Sequence, residues 1–149
     1  MDIWSKQKRS EVMSKIREKD TKPEMILRSQ LFKQGFRFRI HRKALPGKPD
    51  IVLPKYKAVI FVNGCFWHYH KNCKEGRIPS TNSKFWRDKL NRNINRDNAN
   101  IKALEKENWK VFVIWECEIE KHFESTIKKL TAKLISIEPT KNNTLSQVP

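Results

Sequence analysis

Apolar positions along this 149-residue chain fall into two rhythms, a helical one and an alternating or continuous one, and their order predicts the elements. Over residues 5–18, Val12, Met13 and Ile16 give a thin stripe on a short basic helix. Thr21-Lys22-Pro23-Glu24 reads as a helix start, with Thr as N-cap, Pro in the first turn and Glu at the capping-box position. That helix carries Met25, Leu27, Leu31 and Phe32 and stops at Gly35. Phe36 to Ile40 alternates apolar and basic, as a half-exposed strand does. Leu45 to Pro49 is a turn, Asp50 to Leu53 a short strand, and Pro54-Lys55-Tyr56 a second turn. Lys57 to Val62 is a buried strand. Residues 74–82 are polar and loop-like. A long helix begins near Thr81-Asn82-Ser83 and runs to about Asn108, with Trp86, Leu90, Ile94, Ile101 and Leu104 as its apolar positions. Lys110 to Trp115 is another buried strand. A last helix runs from about Ile119 to Ile137, with Phe123, Ile127, Leu130 and Leu134 on one side, and Pro139 ends it. Central strands, terminal helices and a helix between the last two strands predict an α/β fold with a mixed sheet.

Composition narrows the partner. Lys plus Arg is 32 against 16 Asp plus Glu, a formal net charge of +16, alongside five tryptophans. An excess of that size points past a solvated surface to a polyanion, with nucleic acid ahead of a membrane surface. No apolar run approaches the roughly 20 residues of a spanning helix, and the first twenty residues lack a signal-peptide pattern. Three cysteines cannot all pair internally, so reduced thiols in a cytoplasm, available to a metal, are expected. The expected organisation is a basic arm over residues 1–20, one domain over 21–138 and a disordered tail over 139–149.

The densest chemistry is the run Asn63-Gly64-Cys65-Phe66-Trp67-His68-Tyr69-His70-Lys71-Asn72-Cys73. Cys65, His70 and Cys73 are three zinc-type ligands, and Cys117 can close a tetrahedron. Both Cys65 and Cys117 follow strand ends, so two parallel neighbouring strands bring them to one sheet edge. Such a closed site is structural. Spacing alone does not separate His68 from His70 as the ligand. His70 is preferred because His-x2-Cys lets both side chains reach one ion, and His68, left over, suits general acid or base work, since imidazole titrates near neutral pH. Asp50 opens a buried strand after a Gly-Lys-Pro turn. It is either an Asx turn at that corner or a carboxylate for Mg²⁺ beside a DNA backbone. Asp97 sits where the stripe Leu90, Ile94, Ile101, Leu104 needs its missing apolar member, so it is expected in the middle of the buried face. A carboxylate there needs a partner. Candidates are an arginine or lysine at the core's edge, or a histidine of the Cys/His run, with His68 favoured. Glu24 is explained locally by its capping-box position. Phe66, Trp67 and Trp86 read as core residues or as rings that stack on bases. Adjacent on an extended chain, Phe66 and Trp67 cannot share a face, so one is expected at the surface.

Together these residues resemble the very short patch repair endonucleases, a family that nicks DNA beside T:G mismatches. The blocks run from Arg9-Ser10-x-x-Met13 and Lys19-Asp20-Thr21-x-x-Glu24 through Leu45-Pro46-Gly47-x-Pro49-Asp50 and Gly64-Cys65-Phe66-Trp67-His68. They continue with Phe85-Trp86, Arg96-Asp97 and Trp115-Glu116-Cys117. The resemblance implies a restriction-endonuclease-like fold with a mixed central sheet flanked by helices, structural zinc, and Mg²⁺-dependent strand-specific hydrolysis. It makes Asp50 the Mg²⁺ ligand with the Val62 carbonyl, His68 and Asp97 a catalytic pair, and Glu24 a further active-site carboxylate. Cys65, His70, Cys73 and Cys117 become the zinc ligands. It makes Phe66, Trp67 and Trp86 a wedge into the major groove and places Met13 on an arm over the minor groove. It further implies a T:G duplex from 5-methylcytosine deamination as substrate, a monomer at the bacterial nucleoid, and mismatch-repair mediator proteins as partners. Asn63 stands where some members place a histidine. Two residues separate His70 from Cys73, where some relatives have fewer. The carboxylate-x-lysine half of the wider nuclease motif is missing after Asp50. Two rival functions fit the residues, a restriction-like nuclease on unmismatched or modified DNA and a zinc-stabilised DNA-binding module without catalysis.

Overall fold

The computed structural model describes residues 20–71 and 73–137. The expected helix over 5–18, with Met13, and the tail after Pro139 lie outside the described residues. In chain order the elements are α1 (Lys22–Lys33), β1 (Arg39–Ile40), β2 (Ile51–Leu53), β3 (Ala58–Asn63), α2 (Ser83–Lys106), β4 (Lys110–Trp115), α3 (Glu116–Lys121) and α4 (Phe123–Ser136). The four strands form one mixed sheet in the order β1-β2-β3-β4. The first two pairings are antiparallel. β3 and β4 run parallel, with Asn63 opposite Trp115. A parallel pair needs a crossover, and α2 makes it.

Strand residues alternate between the two faces, and both faces are covered. On one, Ile51, Leu53, Ala58 and Ile60 pack with Leu27 and Leu31 of α1 and with Ile119, Ile127, Leu130 and Leu134 of α3 and α4. On the other, Val52 and Val59 meet Leu104 of α2, with Phe61, Trp109 and Leu45 around them. Leu27, Leu31, Ile51, Ile60 and Leu134 are fully buried, and each such side chain stabilises the fold by about 1.5–3 kcal/mol. Burial on both sides explains why β2 and β3 read as continuous apolar runs. Among the described residues no helix is long and apolar enough to cross a membrane.

Two expectations change. The strand expected over Phe36 to Ile40 shrinks to Arg39 and Ile40. Its register opposes Arg39 to Val52, so Phe38 would oppose Leu53, where β2 ends against a proline that cannot donate to a ladder. Phe36 and Phe38 sink into the core instead, and His41 leaves the strand with a φ of 57°. The single last helix becomes two. The Glu118 carboxylate accepts from the Trp115 N–H at 3.0 Å and starts a helix at Glu116. His122, at φ −136° and ψ 44°, then interrupts it. Cys117 therefore sits in a first helical turn.

The turn before β2 is set by Gly47 at φ 75°. A Cβ there would press on Asn100 and Phe61, so glycine lets the turn close on α2 and fixes where Asp50 enters the sheet.

Candidate active site and metal cluster

Asp50 stands immediately before β2 and is tied to β3 by two bonds. Its N–H donates to the Ile60 carbonyl at 3.1 Å, and its Oδ2 accepts from the Val62 N–H at 2.7 Å. Within a strand a residue's N–H and C=O leave on the same side, so the Val62 carbonyl faces the edge where Asp50 stands. Glu24, 1% exposed, lies beside it. Burial, aided by the neighbouring Glu24 and opposed by the Val62 N–H and Arg28, pushes the Asp50 carboxyl up to about 8.

The capping explanation of Glu24 fails. Thr21 is the N-cap, but its side chain makes no capping bond. Oε2 of Glu24 accepts instead from the N–H of Asp20, at 3.0 Å, and pairs with Nη2 of Arg28. Nη1 of Arg28 reaches Oδ1 of Asp20 at 2.8 Å, and Nε2 of His41 lies 3.0 Å from that same oxygen. The hydrogen bond from Arg28, with its charge and that of His41, holds the Asp20 carboxyl below its ordinary value. Two adjacent acids in a dry corner leave room for a hard dication, which carboxylate and carbonyl oxygens suit.

Beyond β3 the chain coils. His68 N–H donates to the Gly64 carbonyl (3.1 Å), Tyr69 to Phe66 (3.1 Å) and His70 to Cys65 (2.9 Å). The extended geometry assumed for Phe66 and Trp67 is thus replaced by a turn, and their rings share a face. Phe66 meets Trp67 edge-on with centroids 5.0 Å apart, and Trp86 closes the group at 5.3 and 6.0 Å. All three rings are half-buried. Phe85, 54% exposed, extends the patch with its ring 5.2 Å from Trp86.

One stripe of α2 holds this turn. Trp86, Lys89, Asn93 and Asp97 recur at three- and four-residue spacing and so share a face. Lys89 places Nζ 5.8 Å from the Trp67 ring centroid. Asn93 Nδ2 donates to the Trp67 carbonyl at 2.9 Å. Asp97 Oδ2 lies 2.6 Å from His68 Nδ1. Asp97 was expected in the buried centre of the helix face but is 25% exposed. The partner beside it is the loop histidine rather than a core-edge cation. An Nδ1–H held by a carboxylate leaves Nε2 as the working nitrogen.

The ligand atoms of Cys65, His70, Cys73 and Cys117 lie within 4.8 Å of one another. Tetrahedral zinc with thiolates about 2.3 Å away needs edges of roughly 3.8 Å, so a small contraction seats the ion. The expected route to this cluster holds, since β3 and β4 are parallel and Cys65 and Cys117 lie two residues past the paired Asn63 and Trp115. Burial, then the crowding of neighbouring thiols, pushes the Cys65 and Cys117 thiols up. A soft dication reverses that penalty by taking the thiolates as ligands. His70 presents Nδ1 3.4 Å from the Cys117 sulfur, and its ring lies flat on Trp115 at 4.0 Å and 7°. The opposite side is closed by Gly76, where any Cβ would collide with the His70 backbone.

Arg28, Asp20, His41, Lys89, Asn93 and Trp115 were missed as site residues in the sequence. The Glu24/Arg28 spacing of four and the helical spacing from Trp86 to Asp97 were the available signals. An open cleft of about 480 Å³ lies elsewhere, between Glu105 and Phe112.

The family described as DNA mismatch endonuclease Vsr matches residues 1–75. A type II nicking enzyme of Neisseria meningitidis serogroup A is 52% identical over 119 residues, covering 80% of this chain and 84% of that protein. A type II nicking enzyme of Xanthomonas oryzae is 43% identical over 136 residues, covering 91% of this chain and 96% of that protein. The DNA mismatch endonuclease Vsr of Escherichia coli is 39% identical over 133 residues, covering 89% and 85%.

Proposed function

The chain belongs to the Vsr family of DNA mismatch endonucleases, and from that premise we propose that it nicks one strand of duplex DNA beside T:G mismatches left by deamination of 5-methylcytosine, using Mg²⁺. The observation that carries the proposal is the 2.6 Å His68–Asp97 hydrogen bond, built on the loop that leaves β3 just past the Asp50–Val62 contact. Asp50 and the Val62 carbonyl hold the magnesium ion, with Glu24 as a further carboxylate beside it. When bound, that ion neutralises phosphate charge and lowers the pKa of its water. His68, oriented by Asp97, takes a proton from the attacking water or gives one to the leaving oxygen at Nε2. The products carry a 5′-phosphate and a 3′-hydroxyl.

The wedge is Phe66, Trp67 and Trp86, entering the major groove beside the mismatch, where each base–aromatic stack contributes about 1–3 kcal/mol. Zinc on Cys65, His70, Cys73 and Cys117 is structural and holds wedge and histidine in register. Met13 and the basic residues 1–20 act as an arm over the minor groove. The mixed sheet with helices on both faces supports a restriction-endonuclease-like fold, and residues 21–138 form the endonuclease domain. A single nick needs one copy, so the protein acts as a monomer in the bacterial cytoplasm, on nucleoid DNA, with mismatch-repair mediators as candidate partners. The net charge of +16 supports the DNA assignment.

A duplex labelled on both strands, with one T:G pair and varied flanking sequence, tests this. Nicking of the T strand in Mg²⁺, with little cleavage of the T:A control, is expected. Equal cleavage of both duplexes favours a restriction-like nuclease, and tight binding without any nick favours a binding module.

A further inference from the structure

Arg28 has no part in the chemistry above, yet it is a charged side chain only 9% exposed. A guanidinium at that depth is costly unless its partners compensate for lost hydration. Its two terminal nitrogens face two different acids. Nη2 pairs with Oε2 of Glu24, and Nη1 lies 2.8 Å from Oδ1 of Asp20. Nε2 of His41 braces Asp20 from the other side at 3.0 Å. The remaining nitrogen, Nε, is buried without a hydrogen-bond partner among the described residues. The side chain is thus placed for its fork, not for complete satisfaction of its own donors. The Asp20 N–H, at 3.0 Å, aims at the same Glu24 oxygen as Arg28 does. Both donors therefore grip Oε2.

We infer that Arg28 is a positioning residue for the ion-holding carboxylates: braced by Asp20 and His41, it fixes Glu24 through Oε2 and turns Oε1 toward Asp50. This rests on the reading of Asp50 and Glu24 as the magnesium site. Without the guanidinium nothing but the Asp20 N–H holds Oε2, and Glu24 is free to swing away from Asp50. A lysine supplies the charge but not the two-pronged geometry.

The test combines Arg28→Met, Arg28→Lys, Glu24→Gln and the double variant Glu24→Gln/Arg28→Met. Single-turnover nicking of the T:G duplex is read against Mg²⁺ concentration, and Ca²⁺ affinity is read by calorimetry. Arg28→Met is expected to lower the maximal rate about 100-fold, the scale of a misplaced site group. Ca²⁺ should bind Arg28→Met less tightly than wild type, by more than any change in melting temperature accounts for, because Glu24 no longer holds an oxygen toward the ion. Arg28→Lys should recover the rate to within about tenfold. In the Glu24→Gln background the Arg28→Met change should cost less than about twofold, since the two residues act as one unit. The same cost in both backgrounds overturns the inference, as does a fall in Ca²⁺ affinity that tracks a fall in melting temperature. If Arg28→Met does not fold, Arg28→Lys and the double variant, which removes both charges of the pair, carry the test. Wild-type protein that binds Ca²⁺ but does not nick defeats the functional proposal alone, and the calorimetric cycle still reads Arg28. Wild-type protein that binds no Ca²⁺ defeats both.

Discussion

The carboxylate corner and the Cys/His turn adjoin the same end of β3, but they are held by different means. Asp50 is fixed by the sheet, through one backbone bond to Ile60 and one side-chain bond to Val62. Glu24 is fixed by a helix that buries Leu27 and Leu31 completely. Among the described residues the Cys/His turn has three local backbone bonds of its own. It is held from outside by Asn93, Asp97 and Trp86 of α2 and by the cluster that ties it to Cys117. Regular structure can hold a charge against its own hydration. An irregular turn needs side chains and a metal to hold a wedge and an imidazole together. The corner should therefore tolerate loss of chemistry without loss of structure, and the turn should lose both together.

The largest expected effect removes the corner's chemistry alone. Asp50→Ala should lower nicking by on the order of 10⁴-fold, because charge neutralisation at the phosphate goes with the ion. Binding to T:G DNA and the melting temperature of metal-free protein should be maintained, since the lost carboxyl is one that burial disfavours in its charged form. Unchanged nicking would remove Asp50 from the site. Asp97→Asn comes next, at about 10²–10³-fold in rate, by turning His68 to the wrong tautomer. Mismatch preference should survive, because Asn93 and Trp86 still hold the wedge. A variant that lost discrimination as fully as rate would show that the α2 stripe works only as a whole.

How much of this was legible depends on what fixes each residue. Asp97 announced itself by interrupting an apolar stripe, and Cys65 and Cys117 by following strands that had to be neighbours. Those signals are periodic and survive without coordinates. Glu24 was misread because its spacing suits both a capping box with Thr21 and an ion pair with Arg28, and spacing does not show that the Thr21 side chain makes no cap. Phe66 and Trp67 were misread as extended. The turn that brings their rings together depends on the long-range contacts with Asn93 and Asp97 and on Gly76 leaving space for the His70 backbone. Local spacing encodes faces and ends, and distant partners decide which way an ambiguous side chain turns.

A smaller effect separates the regions by pH. The Asp50 carboxyl lies at about 8 rather than its ordinary 3.8. Folded metal-free protein thus binds this proton more tightly than unfolded chain. The stability it contributes is complete below about pH 4 and is lost as pH rises toward 8. A divalent ion must displace the proton. Mg²⁺ affinity should therefore grow by up to about tenfold per pH unit until about 8, and the rise in melting temperature it causes should grow with the logarithm of that affinity. Calorimetric titration of Mg²⁺ between pH 6 and 9 checks this, with those limits set around that value. A flat profile would mean that Asp50 is already ionised at neutral pH.

The central claim is that the metal cluster is a splint for the wedge and for His68 rather than a reagent. Its most direct test strips zinc with a chelator, confirms by circular dichroism that the sheet and helices persist, and then measures Mg²⁺-dependent nicking of T:G and T:A duplexes. Zinc-free protein should lose both nicking and T:G preference while keeping most of its secondary structure, and restored zinc should return both. Zinc-free protein that still nicks and still chooses T:G contradicts the account.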